Sequence, residues 1–415
     1  MNNIHNLCIN ASAASREIAA FSTELKNSML SAIANALIIN TNKIKVANQI
    51  DIEKAVKNNK DKTFIDRLTL TDSRIKAMAD GVRTIIELSD PVGQITEEYI
   101  LPNGLDVRRV RAPLGVIAII YEARPNVTID CAALTIKSGN SVILRGSKDA
   151  INSNRALYQI IVNALKAEKY NSDVVAFVDD ESRESSLELI QQSEYIDVVI
   201  PRGGDELKNW VIANAKMPVI ASAGGNCHTY IEQTADFKMA NEIVYNAKVQ
   251  RPSVCNATEQ LLVDKEIAKD FLPICFKKLK TANVRILGCE KTIAIYPEAI
   301  KATDEDYYTE HLDYVISVKV VDGTDEAIDW INKHNTKHSD CIVTSNTAKA
   351  EKFARCVDSA AVYVNASTRF TDGFELGLGA EMGISTQKLH VRGPIGLREL
   401  TSTKYVVIGN GQIRK

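Results

Sequence analysis

From residue 113 onward the chain alternates short β-rich runs with helical stretches, and no other feature limits its fold as much. The runs are GVIAII (115–120), SVILR (141–145), VVAFV (174–178), IDVVI (196–200) and PVIAS (218–222). Strands separated by helices of that length return in parallel, so the pattern predicts a doubly wound α/β domain. A second series predicts a second α/β unit: QLLVD (260–264), TIAIY (292–296), VISVKVV (315–321), CIVT (341–344) and AVYV (361–364). A helix over 237–246 reads as the connection between them. Ligands of open α/β sheets sit off the carboxyl ends of strands, so a cleft at those ends is the expected site.

At 415 residues the chain exceeds what one core normally organises. Before residue 90, apolar residues recur at three- and four-residue spacing through 18–39, 44–56 and 75–88, which predicts helices. Residues 95–112 carry Pro102-Asn103-Gly104 between two extended runs and read as a projecting hairpin. The C-terminal YVVIGNG reads as a lone strand in need of a partner. Hairpin and strand together suggest strand exchange between subunits, with packing on the chain's own body as the alternative.

Charge narrows the partners. Fifty basic and 52 acidic residues are interspersed along the chain, for a net charge of -2, so nucleic acid is not an expected partner. No apolar run reaches the ~18 to 20 residues of a spanning helix, and the first residues do not read as a leader. No membrane association is expected, and the location expected is the cytoplasm.

Eight cysteines lie far apart with no CxxC pair, which suits small core residues in a reducing compartment. Cys255 differs, because NAKVQRPSVCNATEQLLV places it in a polar loop between a helix and a strand. Arg251 nearby would favour its thiolate, and Asn256 or a backbone N–H could donate to an oxyanion. His334 and His338 lack a third ligand at a familiar spacing and read as solvated helix-end residues, so no metal is predicted.

GxGxxG and Walker loops are absent; GLGAEMG (377–383) has the wrong spacing. Gly203 and Gly204 follow one predicted strand and open a helix. They read equally as an ordinary tight turn or as a place where backbone N–H groups approach a phosphate. Arg145 and Lys148, just past another predicted strand, point to an anionic ligand nearby.

Long segments resemble the aldehyde dehydrogenase superfamily, and within it the branch that reduces an acyl phosphate of glutamate. They include LGVIAIIYEARPNVTIDCAALTIKSGNSVILRGSKDA (114–150), IPRGGDELKNWV (200–211), GGNCHTYIE (224–232), VQRPSVCNATEQLLV (249–263), TEHLDYVISVKVV (309–321) and FELGLGAEMGISTQKLHVRGPIGLREL (374–400). The resemblance implies two Rossmann-like α/β domains with a small β oligomerisation element. Residues 1–94 plus 113–235 would bind the cofactor, 236–365 would carry the cysteine, and 366–399 would return near the active-site cleft. Residues 95–112 and 400–415 would mediate homo-oligomer formation.

The resemblance further implies Cys255 as nucleophile, Asn126 as the nearest candidate oxyanion donor, and a cofactor held by Arg145, Lys148, Gly203, Gly204 and Glu310. Lys148 matches a position that is often Glu in NAD-preferring relatives, so a cation there favours the 2′-phosphate of NADPH. The substrate implied is L-glutamyl 5-phosphate, with Arg124, Arg202, Arg251 and Arg392 as candidate cations for its anionic groups and glutamate 5-kinase as a candidate partner. Ser222 stands where aldehyde dehydrogenases carry the glutamate that activates hydrolytic water. A chain lacking that base is suited to reducing its thioester rather than hydrolysing it.

Overall fold

The computed structural model describes residues 4–414. The chain divides into two compact units. The first runs to Ala221 and takes back Leu378–Met382 and the chain from Ile395; the second comprises Ser222–Gly377 and Gly383–Pro394.

In the first unit, helices Ile4–Ile18, Thr23–Ile39, Thr41–Lys57, Lys62–Leu68 and Asp72–Glu87 precede any strand. The periodicity through 18–39 spans a break: Ser22 accepts a hydrogen bond from the Leu25 N–H and starts a new helix there. Four parallel strands follow. They lie in the order Val175–Phe177, Ser141–Gly146, Val116–Tyr121, Val198–Arg202. Every residue of the two central strands is buried, which suits their Val- and Ile-rich apolar runs. PVIAS forms no strand. Pro218 has no N–H, and only one bridge, Val219 to Val199, joins this segment to the sheet.

The hairpin forms as Ile95–Ile100 against Asp106–Pro113. The C-terminal strand Thr401–Ile408 pairs along Asp106–Pro113 of its own chain, so its ladder partner is internal.

The second unit is a seven-stranded parallel sheet. Its order is Ile300–Lys301, Arg285–Gly288, Val315–Val321, Thr258–Asp264, Cys227–Ile231, Ser339–Val343, Ala361–Val364. Alternate residues feed two cores: Leu261, Val263 and Cys341 join one with Phe271, Phe276 and Val244, while Leu262, Ile342 and Tyr230 join another with Ile331 and Phe353. Cys227–Ile231 lies inside this sheet, between Thr258–Asp264 and Ser339–Val343. The division therefore falls at Ala221/Ser222, not at 235/236, and the helix Phe237–Val249 packs within the second unit instead of connecting two.

TIAIY is helix, not strand: Glu290–Ile295 is helical and the strand is the preceding Arg285–Gly288. A short apolar run fits either state. Segment 366–399 is shared between the units, with 378–382 and 395–399 in the first. Among the described residues no helix is long and apolar enough to cross a membrane.

Candidate active site

In the first unit the chain runs outward from Val116–Tyr121 through two further strands and then returns to its other side at Val198–Arg202. That reversal makes the carboxyl ends of these two strands the switch point of the sheet, where open α/β sheets bind ligands. Gly203 and Gly204 lie there and open the helix Asp205–Asn214. Glu122, the residue after the first of these strands, accepts a hydrogen bond from the Gly204 N–H at 2.8 Å. A Cβ on Gly203 would come within 2.6 Å of that carboxylate. A carboxylate thus already satisfies one N–H of the helix start.

Arg145 closes the neighbouring strand. It is 9% exposed, donating to the Gly146 carbonyl at 2.8 Å and the Ser182 carbonyl at 2.7 Å, and its Nε is buried without a hydrogen-bond partner. Lys148 stands exposed just beyond. An unsatisfied guanidinium nitrogen, an exposed cation and glycine backbone at the switch point fit the anionic parts of a dinucleotide. Asn126 begins the helix Asn126–Lys137 and donates to Asp130 at 2.9 Å. Burial pushes the Asp130 carboxyl up to about 6, against the pull of Asn126 and Arg202. Asn126, Asp130 and Arg202 therefore form one group, while Arg124 and Glu122 follow the strand Val116–Tyr121.

The second unit uses its sheet the other way round. Gly224 and Gly225 precede the strand Cys227–Ile231, Cys255 precedes Thr258–Asp264, and Glu310 precedes Val315–Val321. These residues sit at amino ends, contrary to the expected carboxyl-end position. At the carboxyl side, Glu232 plugs the sheet's switch point: it is fully buried and bonded to Thr234, Thr344 and Lys349. Burial works against ionisation of Glu232, but these partners hold its carboxyl down at about 2.

Gly224-Gly225 brings Glu310 and Cys255 together. The Gly225 N–H donates to Glu310 at 2.6 Å. A Cβ on Gly224 would strike the Glu310 carboxylate, and one on Gly225 would strike the Cys255 carbonyl. That carbonyl also accepts from the Cys227 thiol at 3.1 Å. Behind Glu310, Lys248 and Glu259 form a fully buried ion pair at 2.6 Å, and the Leu312 N–H donates to the other Glu259 oxygen at 3.3 Å. Burial pushes the Glu259 carboxyl up to about 7, and Lys248 offsets part of that.

The cysteines separate by environment. Cys8, Cys275 and Cys341 are buried and pushed up to about 12, and burial raises Cys131 and Cys227 too, so none is a ready thiolate. Cys255 is half-buried on its loop.

Three readings from sequence need correction. The Asn256 amide does not stand open to an oxyanion: it donates to the Thr371 carbonyl at 2.9 Å, and its oxygen accepts from Arg369. His334 and His338 are buried, not solvated. His334 stacks on Trp330 with ring centroids 3.8 Å apart, and His338 lies beside Ser339 and Cys227. Arg392, a candidate substrate cation, is ion-paired with Asp358 at 2.6 Å, alongside Lys388.

Arg369, Glu122, Cys227 and the Lys248–Glu259 pair were not singled out in the sequence. Glu122 was visible as a carboxylate at a strand end. Nothing local marks Arg369, which reaches the cysteine loop from far along the chain.

The aldehyde dehydrogenase family model matches residues 2–292 and 301–406. The gamma-glutamyl phosphate reductase of Dictyoglomus thermophilum is 53% identical over 96% of each chain. That of Carboxydothermus hydrogenoformans is 52% identical over 100% of each. The crystal structure of gamma-glutamyl phosphate reductase from Thermotoga maritima superposes with a TM-score of 0.98 at 45% identity, covering 100% of both chains.

Proposed function

The chain belongs to the aldehyde dehydrogenase family, and from that premise and its full-length likeness to gamma-glutamyl phosphate reductases we propose that Cys255 is the nucleophile with which it reduces L-glutamyl 5-phosphate to L-glutamate 5-semialdehyde. The reaction is a step of proline biosynthesis. NADPH supplies the hydride.

The Cys255 thiolate attacks the acyl carbon; a C–S bond forms, the C–O bond to phosphate breaks, and phosphate leaves. When bound, NADPH would supply hydride to the thioester carbonyl carbon, after which the C–S bond to Cys255 would break and release the aldehyde and the thiolate. The Cys255 backbone N–H is the donor proposed for the oxyanion, with Asn126 as its candidate second. Glu310, fixed by the Gly225 N–H, would hold the nicotinamide ribose. Arg145, Gly203 and Gly204 would hold the remainder of the cofactor, and Lys148 would take its 2′-phosphate.

The observation that carries this reading is the state of the Cys255 loop. Its carbonyl is pinned by Cys227 and crowded by Gly225, so the backbone is fixed while the thiol stays half-buried. Ser222 at the place of a hydrolytic glutamate, its backbone bridged to Ser385, agrees with a thioester meant for reduction.

The substrate's carboxylate draws on Arg124 and Arg202. Acyl phosphates hydrolyse readily, which favours supply by a glutamate 5-kinase in the same compartment, the cytoplasm. The hairpin and C-terminal strand serve homo-oligomer assembly; every residue of Ile95–Ile100 is exposed.

The test is the reverse reaction, NADPH formation from semialdehyde, NADP and inorganic phosphate. Cys255→Ala lowers its rate by about 10⁴-fold or more. A variant retaining a tenth of the rate defeats the mechanism.

A further inference from the structure

Arg369 is the cation that the sequence did not reveal. Its guanidinium donates to the side-chain oxygens of Gln250 at 2.8 Å and of Asn256, and so spans the loop that carries Cys255. It is half-buried, and no carboxylate forms an ion pair with it among the described residues. Asp372 and Glu375 only influence it at longer range. Arg251, on the same loop, is exposed and close enough to press on Arg369 electrostatically, as does the Cys255 sulfur from the other sign.

Two guanidinium groups within electrostatic reach of each other beside a nucleophile's loop, neither ion-paired with a carboxylate among the described residues, repel each other until an anion lies between them. Guanidinium pairs are well matched to a phosphate dianion, which each can grip through two parallel N–H bonds.

Substrate chemistry settles which anion. The phosphate is bonded through one oxygen to the carbon that the thiolate attacks, whereas the α-carboxylate lies at the far end of the glutamyl chain. A cation pair at the nucleophile's loop, one on it and one bonded to it, therefore meets the phosphate. We infer that Arg369 and Arg251 form the subsite for the leaving phosphate of the acyl phosphate, and for inorganic phosphate in the reverse direction. Arg369 stabilises charge building on the departing oxygen, and Arg251 closes over the dianion from the solvent side.

The inference rests on the reading of Cys255 as nucleophile and of an acyl phosphate as substrate. A purely structural Arg369, acting only as a staple between Gln250 and Asn256, makes a different prediction: its loss would disturb every kinetic constant together, and Arg251 would not matter.

The experiment measures reverse-direction kinetics with inorganic phosphate varied for the wild type, Arg251→Gln and Arg369→Lys. The expected result is a phosphate KM raised by about tenfold or more in each variant, with KM for NADP unchanged to within about twofold. A second readout needs no turnover: inorganic phosphate slows iodoacetamide alkylation of Cys255 in the wild type and fails to do so in Arg251→Gln. This readout holds even if Arg369→Lys folds poorly. Phosphate-dependent wild-type activity with an unchanged phosphate KM and intact protection in Arg251→Gln overturns the subsite alone. Wild-type NADPH formation that ignores phosphate overturns the acyl-phosphate reading itself, and the subsite with it.

Discussion

Each unit contains a Gly-Gly pair whose second N–H is bonded to a distant glutamate: Gly204 to Glu122 at 2.8 Å, and Gly225 to Glu310 at 2.6 Å. The resemblance ends at their surroundings. Gly203-Gly204 follows a strand, and its glutamate is exposed, with Asp205 and Glu206 in the adjoining helical turn. Gly224-Gly225 precedes a strand, is walled by the Cys255 backbone, and has its glutamate's segment fixed by a buried ion pair. The first is a turn bordered by exposed carboxylates. The second is a closely packed frame beside Cys255. The same local bond thus sits in an open setting in one unit and in a crowded one in the other.

The comparison is broken most directly by adding one methyl group to each pair. In Gly225→Ala the new Cβ meets backbone that cannot swing aside, so the Cys255 loop must shift; a loss of about 10²-fold or more in activity and roughly 1–3 kcal/mol in stability is expected. In Gly204→Ala the nearest atom is the Glu122 carboxylate oxygen at 3.6 Å, an ordinary contact. Its stability should change by no more than about 1 kcal/mol. Rates and denaturant unfolding of both variants check this, and equal losses would show the two turns to be alike.

A smaller loss tests the frame behind Glu310. Lys248→Met strands Glu259 without its cation at a fully buried site and is expected to cost about 3–5 kcal/mol, with Lys248→Met/Glu259→Leu recovering much of it. The pH dependence has a definite sign. Burial holds the Glu259 carboxyl above its ordinary value, at about 7 even with Lys248 present, so the folded state binds that proton more tightly than the unfolded chain. Stability from such a group is complete below the unfolded value and is lost as pH rises through the folded one. The single variant should therefore approach the double variant in stability as pH falls below 7. Urea midpoints at several pH values decide it, and a gap that widens on acidification would contradict the assignment.

The gentlest comparison exchanges charge without shape. Glu310→Gln keeps an oxygen for the Gly225 N–H but weakens the ribose hydroxyl contact proposed for Glu310, and NADPH binding should fall by about tenfold. Glu122→Gln removes a carboxylate from the turn proposed to meet the pyrophosphate, and binding should strengthen by a few fold, on the order of 0.5–1 kcal/mol. NADPH fluorescence titration reads both, and shifts in the same direction would refute the contrast.

Much of this was legible in the chain. The two βα series, the hairpin at 95–112, and a Cys255 loop unlike the apolar surroundings of Cys275 all follow from patterns that short-range sterics and hydrophobic burial impose. Where such patterns are ambiguous the reading failed. TIAIY is apolar enough for either state, and PVIAS has its ladder blocked by Pro218. Asn256 looked like an oxyanion donor because the residues that occupy its amide, Arg369 and Thr371, lie more than a hundred positions away.

By itself, then, the sequence determined most element types and the two-unit α/β plan, and it marked Cys255 as the candidate nucleophile, because these depend on residues near one another in the chain. Only the tertiary structure decided which end of each sheet carries function. It also decided that Gly225 is walled by the Cys255 carbonyl, and that Arg369 reaches the cysteine loop. Those are long-range pairings, set by how strands are ordered in the sheet and how side chains pack around them, and no local pattern encodes them.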